Sequence, residues 1–378
     1  MPPRRVVVIV LSLLALLHFY IGIRLLPAMA LHPLGVATGV LLLAVSTFLL
    51  PAGLLSSRFK RWRHADQLAW AGLLAMGFFS SLLLLTVLRD LVLLVAALFG
   101  GAAPQLLRAS AMAVPLLAFG VTLVGFINAR RVARVVEVEV PIPGLPAALH
   151  GYSIVQISDI HVGPTIKRGY LDAIVTKVNA LTPDAVAITG DLVDGSVRRL
   201  APHTEPLARL VARDGIFFVT GNHEYYSGAE EWIAELRRLG LTVLLNQHVV
   251  RERDGERLMI AGVTDFTAHL FHESHRSDPG KAAAGAPPGL HARILLAHQP
   301  RSATAAAAAG FDLQLSGHTH GGQFFPWNLF VPLQQPFTAG LNRLNQLWVY
   351  TSRGTGYWGP PKRFGAPSEI TCVRLVSA

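Results

Sequence analysis

The chain has 378 residues, room for two or three domains at roughly 150 residues each, and 52% of them are hydrophobic while only 15% are charged. A soluble domain carries about 25% charged residues, which disfavours a wholly soluble or disordered chain and places part of the sequence in lipid. The net charge of +10 is confined to one region, because residues 1–134 hold 12 Lys and Arg against only Asp66 and Asp90, whereas residues 135–378 hold 21 of each sign. No nucleic-acid partner is expected, since these cations sit between apolar runs. Cys372 is the single cysteine, which excludes an intrachain disulfide and a cysteine-based zinc site.

Four apolar runs come first, at about 6–26, 34–55, 68–88 and 111–127, and the first three reach the roughly 20 residues that cross a bilayer. Basic residues collect at Arg4 and Arg5, at Arg58, Lys60, Arg61 and Arg63, and at Arg130, Arg131 and Arg134. By the positive-inside rule this alternation predicts a multi-pass inner- or plasma-membrane protein, its N-terminus and C-terminal domain both cytoplasmic. Leu91–Phe99 prolongs the third run beyond Arg89 and Asp90, and an extra span there would reverse the orientation. A leader peptide cut after Ala28-Met29-Ala30 is the competing reading of the first run, disfavoured because further spans follow at once. The expected division is a transmembrane anchor, 1–134, and a globular domain, 135–378.

From residue 150 onward, short β-rich runs alternate with helical patterns, the signature of α/β layering. Strands are expected at 153–158, 185–189, 216–220, 258–263, 294–297, 313–315, 347–351 and 370–376, and helices at 169–181, 205–211, 230–239 and 303–309. Asp254-Gly255 reads as a two-residue hairpin turn. Residues 266–288, rich in His, Ala, Gly and Pro without a clear period, read as a lid or flexible insertion.

Five polar segments each follow a predicted strand directly: Asp159-Ile160-His161, Gly190-Asp191, Gly221-Asn222-His223-Glu224, His298 and Gly317-His318-Thr319-His320. Ligands gather at the carboxyl ends of strands in open α/β sheets, so segments distant in sequence converge on one rim. Each segment alone is commonly a turn or a strand-end cap; their shared placement is what argues for a site. Carboxylate, amide and imidazole donors without thiolate suit Mn, Fe, Zn, Ni or Co. Seven such ligands exceed one ion's needs and would hold two, with one carboxylate shared.

The order Asp-x-His, Gly-Asp, Gly-Asn-His-Glu, His, Gly-His-x-His resembles the calcineurin-like metallophosphoesterase superfamily. The phrases Val155-Gln156-Ile157-Ser158-Asp159-Ile160-His161, Ala297-His298-Gln299-Pro300 and Leu315 to Gln323 look like its bacterial membrane-associated branch. The resemblance implies an α/β domain of two mixed sheets flanked by helices behind the transmembrane helices. It implies two divalent ions, with manganese favoured: Asp159, His161 and His320 on one, Asn222, His298 and His318 on the other, and Asp191 bridging. His223 would act as general acid or charge stabiliser, and Arg353 would bind a substrate phosphate oxygen or form a structural salt bridge.

The expected activity is hydrolysis of a phosphodiester, pyrophosphate or phosphomonoester by activated water. Tethering favours a lipid-linked substrate, and related superfamily members act on UDP-diacylglucosamine. The alternative is a membrane receptor or scaffold that binds a phosphorylated ligand without turnover.

Overall fold

A computed structural model describes residues 4–56 and 63–378. Arg58, Lys60 and Arg61 of the basic loop, and the side chain of Arg4, lie outside the described residues. The chain divides into two compact units, one of residues 1–127 with Gly359–Lys362, the other of Asn128–Trp358 with Arg363–Ala378.

The first unit holds α1 (Arg4–Leu25), α2 (Pro33–Leu54), α3 (Ala65–Leu98) and most of α4 (Pro104–Arg130). Among the described residues, these four helices are long and apolar enough to cross a membrane. Gly53 of α2 and Gly72 of α3 let the two backbones touch, since a Cβ on Gly53 would lie 2.7 Å from Gly72 Cα; small residues serve this purpose in membrane helices. The third run is one helix of 34 residues that passes through Arg89 and Asp90, where an end near residue 88 was expected. Those charges are absorbed locally. Asp90 accepts from Tyr20 and Arg24, each at 2.7 Å, and Arg89 donates to Ser110 Oγ at 3.0 Å and to the Leu107 carbonyl at 3.1 Å. Lys362, from the Gly359–Lys362 excursion, donates to the Gly77 carbonyl at 2.7 Å and also to Ser81 and Thr122.

The second unit contains two six-stranded mixed sheets. One has the order β1 (Arg134–Ile142), β12 (Glu369–Ser377), β2 (Ser153–Ile157), β3 (Ala185–Thr189), β4 (Ile216–Val219) and β5 (Thr242–Val243). The other runs β10 (Gly340–Leu344), β11 (Leu347–Thr351), β9 (Leu313–Ser316), β8 (Leu290–Leu296), β7 (Glu256–Gly262) and β6 (Gln247–Arg253). Period-two alternation divides the strand side chains between layers. Leu258 and Ile260 of β7 join Ile154, Ala187, Phe217, Ile294, Leu315 and Val373 in a core shared by strands of both sheets. Met259 and Ala261 face the other way, against α9 (Pro279–Ala283) and α10 (Ala303–Ala308). On the first sheet, Val155, Ile157, Val186 and Ile188 pack against α5 (Arg168–Asn179) and α8 (Ala229–Arg238), whose Leu171, Ile174, Trp232 and Leu236 are buried.

The hairpin at Asp254-Gly255 is present, with Arg253 paired to Glu256 and both turn residues at positive φ, as such a two-residue turn requires. The helix expected at 205–211 is instead a 3₁₀ turn, Glu205–Arg209, preceded by α6 (Val197–Thr204); Pro202 and Pro206 interrupt the pattern. Residues 266–288 carry two 3₁₀ turns and α9, with Asn246 Nδ2 donating to the Arg276 carbonyl at 2.8 Å.

Candidate metal centre

Strands β2, β3 and β4 of the first sheet and β8 and β9 of the second end beside one another, and each hands its chain to one polar segment. Asp159, His161, Asp191, His318 and His320 all have positive φ, between 51° and 71°. This region is sparsely populated by residues other than glycine. Five such residues together mark a rim where loop geometry is set by what the side chains must reach. Hydrogen bonds across the rim lock the loops: Asp159 N donates to the Gly190 carbonyl, His161 N to the Asp191 carbonyl, and Gly317 N to the His298 carbonyl.

The side chains form two neighbouring groups. Asp159, His161 and His320 offer ligand atoms within 4.8 Å of one another, and so do Asp191, His298 and His318. Within the first, His161 Nε2 is 3.1 Å from His320 Nε2, and His320 Nε2 is 3.5 Å from Asp159 Oδ1. Within the second, His298 Nε2 is 3.2 Å from Asp191 Oδ2 and 3.1 Å from His318 Nδ1. The same Asp191 Oδ2 lies 3.9 Å from His161 Nε2, so one carboxylate oxygen faces both groups. Two imidazole–imidazole contacts, each with a carboxylate beside it, form a donor set that fits two cations.

The outer nitrogens of His298 and His320 are also fixed. His298 Nδ1 donates to the Thr189 carbonyl at 2.7 Å, which leaves Nε2 to the site. His320 Nδ1 accepts from the buried Arg363 guanidinium at 3.0 Å. Burial pushes His318 down to about 3, and burial with the Arg363 charge holds His320 well below the ordinary histidine value, so both are neutral and ready to ligate. Burial opposes the charge on His298, but Asp191 more than offsets it and raises the imidazole well above that value. Asn222, the first residue of α7 (Asn222–Ser227), is buried and its Oδ1 accepts no hydrogen bond. A buried acceptor left unmet costs free energy, and an amide oxygen in this state is a donor type that a hard cation accepts.

Two acidic residues outside the expected set organise the rim. Asp194 Oδ1 takes hydrogen bonds from His223 Nδ1 at 2.6 Å and His161 Nδ1 at 3.0 Å. Burial disfavours the His223 imidazolium, but the charges of Asp191 and Asp194 outweigh it and raise His223 to about 9. Glu224 is fully buried and accepts the backbone N–H groups of Gly221 at 2.6 Å, Leu192 at 2.8 Å, Asp191 at 3.0 Å and Val193 at 3.3 Å. Arg353 pairs with Glu369, its Nη1 2.9 Å from Oε2, and lies on the chain that returns to β12. Tyr226 and Trp358 flank His223, with ring centroids 5.2 and 5.8 Å away.

Residues 152–322 match the sequence profile of the calcineurin-like phosphoesterases. A zebrafish transmembrane protein with metallophosphoesterase domain is 42% identical over 262 residues, which span 67% of this chain and 60% of that one. Its bovine counterpart is 42% identical over 279 residues, 70% and 63% of the two chains. The match thus spans less than two thirds of both vertebrate relatives. An uncharacterized metallophosphoesterase of Campylobacter jejuni is 36% identical over 344 residues, covering 89% of this chain and 87% of its own. Among solved structures, a 5′-nucleotidase precursor of Thermus thermophilus covers 59% of this chain and 54% of its own at 17% identity and a TM-score of 0.40. With motif order, two-sheet fold and full-length similarity to the Campylobacter protein in agreement, the chain belongs to the calcineurin-like phosphoesterase family, as a membrane protein with candidate ligands for two divalent ions.

Proposed function

We propose that this chain is a membrane-anchored, two-metal phosphoesterase that hydrolyses a phosphodiester, pyrophosphate or phosphomonoester, with a lipid-linked substrate such as UDP-diacylglucosamine favoured over a freely diffusing nucleotide. The observation that carries the reading is Asp191 Oδ2, which stands between two groups of donors, 3.2 Å from His298 Nε2 and 3.9 Å from His161 Nε2. Asp159, His161 and His320 would hold one ion, Asn222, His298 and His318 the other, and Asp191 would bridge. Bound divalent ions of this kind, with manganese favoured, supply Lewis-acid charge to phosphoryl oxygens and lower the pKa of an attacking water.

The remaining work falls to the chain's own residues. His223 is the general acid: Asp194 holds its Nδ1, so Nε2, 3.9 Å from Asp191 Oδ2, carries the proton for the leaving oxygen, and in the metal-free protein the two carboxylates raise the ring to about 9. Tyr226 and Trp358 beside it give the leaving group an aromatic flank. Arg353, fixed by Glu369, is assigned to a substrate phosphate oxygen. The alternation of basic segments assigns the domain to the cytoplasmic face; a reporter fused after residue 134 reads that assignment, and alkaline-phosphatase activity there overturns it.

Turnover of a chromogenic phosphodiester by the detergent-solubilised full chain, with Mn²⁺ or with chelator, tests the reading alongside Asp191→Asn and His223→Ala. Metal-dependent hydrolysis lost in both variants supports it. Tight metal and phosphoester binding without turnover by the wild-type protein returns the chain to the receptor or scaffold reading.

A further inference from the structure

The segment that follows His320 is not used by the chemistry above. Residues 321–342 contain no Asp, Glu, Lys or Arg, although the rest of the domain is richly charged. The segment folds into two successive 3₁₀ turns, Trp327–Leu329 and Val331–Leu333, punctuated by Pro326, Pro332 and Pro336. Its base is tied down. Phe325 N donates to the Phe364 carbonyl at 3.1 Å, Gln335 Nε2 to Gln299 Oε1 at 3.2 Å, and Arg301 N to Gln335 Oε1 at 3.3 Å. Its tip is exposed: Trp327 is 50% exposed, Phe330 52%, Leu329 61% and Leu333 80%. An uncharged loop, anchored at its base, that holds several large apolar side chains in water marks an interaction surface.

The chain itself indicates which partner. The segment belongs to a protein with four helices fit to cross a membrane, and only residues 131–133 separate the end of α4 at Arg130 from the start of β1 at Arg134. Four peptide steps span at most about 14 Å, so the domain is tethered within reach of headgroups. Trp with Phe and Leu, free of charge, is the composition that settles at the boundary of headgroup and acyl chain. The guanidinium of Arg301, which also donates to the Gln334 carbonyl at the base of the loop, supplies a cation for lipid phosphate.

We infer that residues 324–333 are a membrane-interface wedge, a second attachment to the bilayer independent of the four helices, which inserts Trp327, Leu329, Phe330 and Leu333 among the lipids. Because the wedge begins four residues after the candidate ligand His320, its insertion holds the mouth of the candidate site at headgroup depth. A phosphate carried by a lipid then reaches the site without leaving the membrane. The inference depends on membrane attachment and not on hydrolysis.

The test uses the full chain in phosphatidylcholine–phosphatidylglycerol nanodiscs. A polarity-sensitive fluorophore is placed on Leu333→Cys or, as control, on Asp254→Cys in the hairpin at the opposite end of β7; Cys372 is buried, and the unsubstituted protein gives the labelling background. The label at 333 is expected to shift to the blue, to lose its fluorescence to nitroxide-bearing lipid and to resist aqueous iodide, while the label at 254 does the reverse. Equal behaviour of the two labels, with iodide reaching both and nitroxide lipid neither, overturns the inference. The readout needs no substrate, so its failure is distinct from a failure of the enzymatic reading. Both positions are exposed, and an unchanged melting temperature certifies each labelled protein.

Discussion

Asp194 holds His223 by a 2.6 Å hydrogen bond between Oδ1 and Nδ1, and the same oxygen reaches His161 at 3.0 Å. One carboxylate thus orients a candidate acid and a candidate ligand together. Asp194→Asn keeps the shape and removes the charge. Its kcat is expected to fall about 10- to 100-fold, the usual effect of losing an outer partner of a metal ligand. The pH profile separates this from a loss of folding. The negative charges of Asp191 and Asp194 raise His223 to about 9 in the metal-free protein, and Asp194 keeps raising it where bound cations would offset Asp191. Removing one charge lowers the His223 pKa, and the alkaline limb of kcat must move to lower pH. An unmoved limb with reduced kcat leaves Asp194 a purely structural role.

Glu224 is expected to be a stability residue. Its two oxygens accept four backbone N–H groups from the turns that carry Asp191 and Asn222. Glu224→Gln turns one acceptor into a donor facing donors, and each buried N–H left unmet costs about 1–3 kcal/mol. Thermal unfolding of the metal-free protein is expected to show a melting temperature several degrees lower. An unchanged melting temperature would falsify the assignment.

Most of this rim was legible in the sequence because each strand feeding it is a short run rich in β-branched and other apolar residues that gives way to Asp, Gly or His. The edges of the sheets were not. β1 reads Arg-Val-Val-Glu-Val-Glu-Val-Pro-Ile, with charges that mimic a solvated linker, and only its parallel pairing with β12 reveals a strand. β10, at the other sheet's edge, has five residues with no buried side chain. Asp194 also escaped notice: three residues after Asp191, it looks like a loop carboxylate, and nothing local says that the turn brings it to His223. Arg363 and Glu369 are invisible for the same reason, because their partners His320 and Arg353 lie in other segments. The end of α3 was misplaced because Arg89-Asp90 resembles a membrane boundary until Arg24 and Ser110, on other helices, are seen to pair with it.

Glycine at position 221 is expected to be indispensable on steric grounds. A Cβ there would collide with Asp191 Oδ1 and lie 2.5 Å from Asp191 N. The backbone at Gly221 is extended, with φ −100° and ψ −178°, so the constraint is close approach and not a left-handed conformation. Gly221→Ala displaces the carboxylate proposed to bridge, and Mn²⁺ affinity is expected to fall at least 10-fold, comparable to loss of an outer-shell partner. Calorimetric titration measures it. Gly240→Ala, where an added Cβ meets nothing within 4 Å but φ is +90°, controls for the general cost of a glycine replacement. Equal effects on metal affinity from the two substitutions would remove the steric argument.

Metal binding is expected to release protons. Burial disfavours the charged form of His298, yet Asp191 at 3.2 Å raises it well above the ordinary histidine value, so the metal-free protein at pH 7 stores the site as an imidazolium–carboxylate pair. Nδ1 keeps its hydrogen bond to Thr189 in either state, which identifies the proton on Nε2 as the one a cation must displace. Since ligation requires the neutral ring, affinity rises with pH by about tenfold per unit for each proton released, up to the pKa of His298. His318, pushed down to about 3, and His320, also lowered, contribute no proton near neutrality. Titrations with Mn²⁺ in two buffers of different ionisation enthalpy give the number directly, and heats that are independent of buffer would mean that His298 is already neutral or lies outside the coordination sphere. Asp191→Asn sharpens the comparison: without its carboxylate partner His298 loses the charge that raises it, so the proton release at pH 7 should shrink even as the affinity falls.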